Sequence, residues 1–149
     1  MGDILLAIFS NRVIQAAVLA WAIAQGLKVL LTLAISRKFD YTRVLGSGGM
    51  PSSHSSMACA MVTVIGFHEG FSSAVFALAF CFAGVTMYDA AGVRRSSGRN
   101  AAGINHIVEG LSGKGFNFDD EHLKELVGHT PIQVLAGALL GILIGVLMA

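Results

Sequence analysis

The chain has 149 residues, 54% hydrophobic and 13% charged, with a net charge of +1 and a mean hydropathy of +0.70. Soluble domains carry about a quarter charged residues, so this composition excludes an ordinary soluble enzyme, and without a basic excess no nucleic-acid partner is expected. Cys59 and Cys81 both lie in apolar runs, where cysteine behaves as a small hydrophobe; no disulfide is required, and no cysteine-histidine cluster has structural-zinc spacing.

Residues 3–12 begin the first helix at the membrane interface, and residues 13–36 make the first span, long enough for a hydrocarbon core of about 30 Å. The start Met1-Gly2-Asp3 has no basic n-region and no small-residue cleavage site follows, so the helix is expected to stay in the mature protein. Gln15, Gln25 and Lys28 are its strongly polar interruptions. Lys28 lies one helical turn from Gln25 and is either a phosphate ligand facing the bundle or a lysine that snorkels to the interface.

A polar connection, residues 37–54, ends in Gly48-Gly49-Met50-Pro51-Ser52-Ser53-His54-Ser55-Ser56. Glycines allow a tight turn, the proline can open a helix, and first-turn N–H groups without intrahelical acceptors can point at an anion. His54 stands there as a proton-transfer group. The second span, residues 55–67, is short and is therefore expected to be tilted or partly shielded. The turn His68-Glu69-Gly70 leads to the third span, residues 72–92. Asp89, near its end, needs a partner, for which Arg94 and Lys28 are the candidates; it either orients a site residue or forms a structural ion pair.

The polar segment 94–130 carries Ala101, Ile104, Ile107, Val108 and Leu111 at helical spacing, which predicts an amphipathic interfacial helix. Gly113-Lys114-Gly115 should break it, Asp119 or Asp120 should cap a short helix through Val127, and Gly128 should stop that helix. Arg94, Arg95 and Arg99 have the composition of a phosphate clamp, and equally of contacts to anionic headgroups. Gly128-His129-Thr130-Pro131 precedes the fourth span, residues 131–149, in which Gly137, Gly141 and Gly145 permit close helix approach inside the bundle or across a homodimer.

These elements predict an all-α, single membrane domain over residues 1–149: a bundle of four transmembrane helices with a short interfacial helical segment. Arg37, Lys38 and Arg43 in one loop and Arg94, Arg95 and Arg99 in another assign both loops to the cytoplasm and both termini to the outside. An up-down path then returns His54 and His129 to one face, the cytoplasmic one, and leaves His68 on the other.

The run Pro51-Ser52-Ser53-His54 resembles the Pro-Ser-Gly-His motif of the type 2 phosphatidic acid phosphatase superfamily, which includes vanadium-dependent haloperoxidases. His129-Thr130-Pro131-Ile132-Gln133-Val134-Leu135-Ala136-Gly137 is similar to its third motif, a histidine followed by proline and Asp-Val-x-x-Gly. With Met87-Tyr88-Asp89-Ala90-Ala91-Gly92-Val93-Arg94-Arg95 between them, the three stretches most resemble the divergent bacterial and plastid branch known as acid phosphatase or haloperoxidase-related.

The resemblance implies metal-independent phosphatase chemistry with no cofactor, on a lipid phosphate monoester or an isoprenoid diphosphate, in a bacterial plasma membrane. It makes His129 the nucleophile, His54 the general acid, and Ser52 and Ser53 phosphate ligands, with Lys28, Arg94 and Arg95 as the candidate cations. The chain also departs from the pattern. Lys28 is followed seven residues on by Ile35, Arg37 comes two residues later without a proline, and His122 and Leu123 stand where the third motif begins Ser-Arg. Gln133 replaces the aspartate that orients the nucleophile, leaving Gln133 or Asp89 to hold the tautomer of His129. The rival expectation is a non-catalytic membrane protein that binds anionic lipid or phosphate and assembles with partners.

Overall fold

Each long helix begins where the sequence supplies a cap. In the computed structural model, which describes residues 2–37, 49–112, 123 and 128–149, a short helix α1 (Gly2–Ser10) is followed by α2 (Arg12–Ser36). Asn11 opens α2, its side chain accepting the N–H groups of Val13 and Ile14 at 2.9 and 3.2 Å. Ser52 caps α3 (Ser53–Glu69) and Ser73 caps α4 (Ala74–Tyr88). Thr130 caps α6 (Pro131–Met148), where Pro131 takes the first turn, the position that needs no N–H. Lys38, Arg43, Gly48, the Gly113-Lys114-Gly115 break, the capped helix from Asp119 or Asp120 to Val127, and His122 lie outside the described residues.

Between α4 and α5 (Arg94–Ser112) the structure supplies a junction on which the sequence is silent. The third apolar run and the amphipathic helix are joined: a five-residue π-turn, Asp89–Val93, carries α4 directly into α5. Proline is absent from residues 89–112, so the backbone has no obligatory stop and changes register by one residue instead.

Three helical segments, Arg12–Ala34, Ala74–Leu111 and Pro131–Met148, are long and apolar enough to cross a membrane. The 17-residue α3 is the short segment that the sequence marks for shielding, and it packs against α2, α4 and α6. Small side chains make that packing close. Ala16 and Ala20 of α2 meet Ala60 and Val64 of α3 and Ile144 of α6, and Ala58 and Val62 meet Ala79 and Ala83 of α4. Large apolar residues such as Leu78, Val85, Leu139 and Leu147 point outward, as expected where lipid, not water, is the surrounding solvent.

The glycines of α6 form a seam against α3. A Cβ at Gly137 would overlap the carbonyl oxygen of Ser52, one at Gly141 the carbonyl oxygen of Ser56, and one at Gly145 would lie 2.5 Å from Thr63 Cβ. The stripe is therefore used inside the bundle. Two hydrogen bonds reinforce α3 in place: the Ser52 N–H donates to the Gln133 carbonyl at 3.0 Å, and the Ser56 hydroxyl to the Ala20 carbonyl at 3.2 Å.

Gly141→Ala forces overlap with backbone and should destabilise the protein by about 1–3 kcal/mol, the usual cost of overpacking. Gly84→Ala, in α4 with open space around it, should be neutral or slightly stabilising. Thermal unfolding of both variants in detergent checks this, and a Gly141→Ala midpoint equal to wild type contradicts the seam.

Candidate functional site

The N-terminal turn of α3 is built from hydroxyls. Ser52 Oγ accepts the Ser55 N–H at 3.3 Å and the Ser55 hydroxyl at 3.0 Å, and Ser52, Ser53, Ser55 and Ser56 are all buried. Pro51 precedes the cap and does not open the helix. His54 leaves the same turn on its exposed side. Gly49 has φ +87°, a conformation that favours glycine, and a Cβ there would meet the Lys28 side chain at 3.1 Å. Lys28 does not snorkel: it is 1% exposed and donates to Gln25 Oε1 at 2.6 Å.

The π-turn supplies the opposite wall. Asp89 pairs with Arg94 through Oδ2 and Nε, so the partner left open by the sequence is Arg94. The Ala90 carbonyl accepts the backbone N–H of His129 at 3.0 Å. Gly128 lies against the backbone of Arg94 and Arg95, where a Cβ would overlap the nitrogen and Cα of Arg95. Arg95 and Arg99 project from exposed positions of α5.

His129 is 2% exposed, and neither ring nitrogen has a hydrogen-bond partner among the described residues. Buried polar atoms are rarely left unsatisfied, and those that are require an explanation. Burial holds the His129 pKa down to about 4, and the positive charge of Lys28, His54 and Arg94 adds to the effect. The His54 pKa is lowered as well, first by the protein around its ring, then by Arg94 and Lys28, with Asp89 opposing. These reciprocal effects gather Lys28, His54, Asp89, Arg94 and His129 into one electrostatic neighbourhood. At neutral pH it presents a neutral buried imidazole beside cations, a setting suited to an anion whose oxygens need donors.

Gln133 is engaged elsewhere. Its Oε1 accepts the Thr130 N–H at 3.0 Å while its backbone N–H donates to Thr130 Oγ1 at 3.4 Å, a reciprocal capping box. In this arrangement neither Gln133 nor Asp89 is bonded to the His129 ring, whose two nitrogens have no hydrogen-bond partner among the described residues. Thr130-x-x-Gln133 is itself the capping-box spelling, a signal that could have revealed the role. Sequence reasoning missed the role of Ala90. Gly49 takes the turn conformation that the glycine pair announced, whereas Ala90 carries no signal of its own.

The sequence profile of the Divergent PAP2 family matches residues 9–144. The chain is similar to the uncharacterized membrane protein YuiD of Bacillus subtilis (strain 168), with 38% identity over 152 residues covering 95% of this chain and 96% of the relative. No solved structure matches the chain.

Because the folded pKa of His129, about 4, lies below its ordinary value of 6.5, the unfolded chain takes up a proton that the folded chain refuses as pH falls between those values. This contribution to stability is present above 6.5 and is lost on acidification toward 4. In phosphate-free detergent solution the unfolding midpoint should fall over this window, and fall less in His129→Asn. Equal slopes for the two proteins contradict the burial of a neutral ring.

Proposed function

The chain belongs to the Divergent PAP2 family, and we propose that it is a lipid phosphate phosphatase working through a phosphohistidine at the membrane interface. The observation that carries this reading is the buried His129 ring, whose two nitrogens have no partner among the described residues and which lies near Lys28, His54 and Arg94.

A neutral His129 nitrogen attacks phosphorus and forms the N–P bond as the bond from phosphorus to the lipid oxygen breaks. Protonated His54 gives its proton to the departing alkoxide. Water then attacks the phosphohistidine, His54 takes a proton from it, the N–P bond breaks and inorganic phosphate leaves. Lys28, Arg94, Ser52, Ser53 and the first-turn N–H groups of α3 stabilise the non-bridging oxygens, while Arg95 stands at the rim. Bound phosphate favours protonated His54, so the acid is charged when substrate is present even though the empty site disfavours it.

The substrate class is a lipid phosphate monoester or an isoprenoid diphosphate, because an interfacial site lets the tail remain in lipid while the headgroup reaches the histidines. In this reading α3 is a fourth crossing shielded by its neighbours, and the positive-inside bias puts the site on the cytoplasmic side of a bacterial plasma membrane.

A second reading, a membrane protein that binds anionic lipid or phosphate without turnover, is favoured by one observation. Gln133 is held in the cap of α6, and no carboxylate is paired with the His129 ring among the described residues.

Purified protein without added metal, incubated with phosphatidic acid and prenyl diphosphates of several chain lengths, should release phosphate. His129→Ala should abolish release, and His54→Ala should reduce it about 10²–10⁴-fold, the range for losing a general acid. No release from any member of the panel, together with saturable lipid phosphate binding lost in His129→Ala, supports the second reading instead.

A further inference from the structure

We propose that the π-turn Asp89–Val93 is the positioning device for His129, because its one-residue change of register releases the Ala90 carbonyl that fixes the histidine backbone. In an uninterrupted α-helix the Arg94 N–H would bond the carbonyl four residues earlier, that of Ala90. Here the Arg94 N–H reaches back five residues to the Asp89 carbonyl, and the Ala90 carbonyl instead receives the His129 N–H at 3.0 Å. The same register makes the Asp89–Arg94 ion pair, since residues five apart on an α-helix point about 140° away from each other.

Gly128 closes the clip from the other side. It stands flush against the Arg94–Arg95 backbone, where any side chain would hold the Gly128-His129 segment away from the π-turn. Ala90 is 2% exposed, so water does not compete for its carbonyl. One backbone hydrogen bond and one glycine contact thus set how deeply the His129 ring is buried and how it stands to the charges of Lys28 and His54. This inference rests on the reading of His129 as the residue that meets phosphate, but its geometry does not depend on turnover.

Deleting Gly92 tests it. The deletion shortens the segment to α register, so Arg94 falls four residues after Asp89 and can keep its ion pair, while the Arg95 N–H reclaims the Ala90 carbonyl. Gly128→Ala attacks the clip without altering the helix, and Gly84→Ala is the control. Histidine-labelled protein in detergent is followed by NMR for two readouts: titration of the His129 ring, and its response to added inorganic phosphate.

In wild type and Gly84→Ala the ring should titrate near 4. In the Gly92 deletion and in Gly128→Ala it should move toward 6.5, with phosphate affinity lower by about tenfold or more. If the deletion does not fold, Gly128→Ala decides. A wild-type-like titration together with unchanged phosphate affinity in every folded clip variant overturns the proposal. A wild-type protein that does not respond to phosphate sinks the functional reading, and the titration shift alone then decides the clip.

Discussion

The contact between α3 and α6 is the constraint on which the rest of the molecule depends. Gly137, Gly141 and Gly145 let the two backbones approach to the distance of the Ser52 N–H···Gln133 carbonyl bond. That approach sets the N-termini of both helices side by side, so the hydroxyl turn that carries His54 and the capped turn that follows His129 meet at one end of the bundle. Two helix N-termini together concentrate unsatisfied N–H groups and positive dipole ends in one place. The repulsion between them is relieved by an anion, and relieved most by one carrying several oxygens.

Charge inside this pocket works in a definite direction. Lys28 is buried and tied to Gln25, and Arg94 is held by Asp89, so the cations are oriented before any ligand arrives. Their field, added to burial, keeps His129 neutral and its nitrogen lone pair available. The same field disfavours the positive charge that would accumulate on the ring if, as proposed, it bonded to phosphorus. In sites that pair the histidine with a carboxylate, that charge is neutralised directly. Under the proposed reaction the phosphate oxygens would have to do more of this work.

The all-helical class and the shielding of the short second apolar run were legible from composition and length, because an apolar segment too short for lipid must be covered by protein. The motif residues pointed to the two helix starts that the Ser52–Gln133 backbone hydrogen bond holds together. The glycine stripe announced close packing, but its partner was invisible because Ser52, Ser56 and Ala60 have no signature as a receiving surface. The third span and the amphipathic helix after it were both written in the sequence, but the π-turn that joins them was not, because a one-residue change of register leaves side-chain periodicity almost intact. Gln133 stands where the resemblance has an aspartate, and its spelling with Thr130 also writes the capping box that the structure shows. Ala90 was beyond reach, since a carbonyl freed by a register change leaves no trace in side-chain identity.

The central claim, that His129 is the atom-transferring residue of a phosphate pocket, is tested most directly by trapping the intermediate. Protein mixed with a ³²P-labelled lipid phosphate is quenched in alkali within the first turnovers, digested, and the peptide spanning Gly128 to Gln133 is sequenced by mass spectrometry. The account predicts an acid-labile, alkali-stable phosphoryl group on His129 that disappears on acidification. Label on any other residue, or phosphate release at full rate with no label ever found on His129, would contradict it.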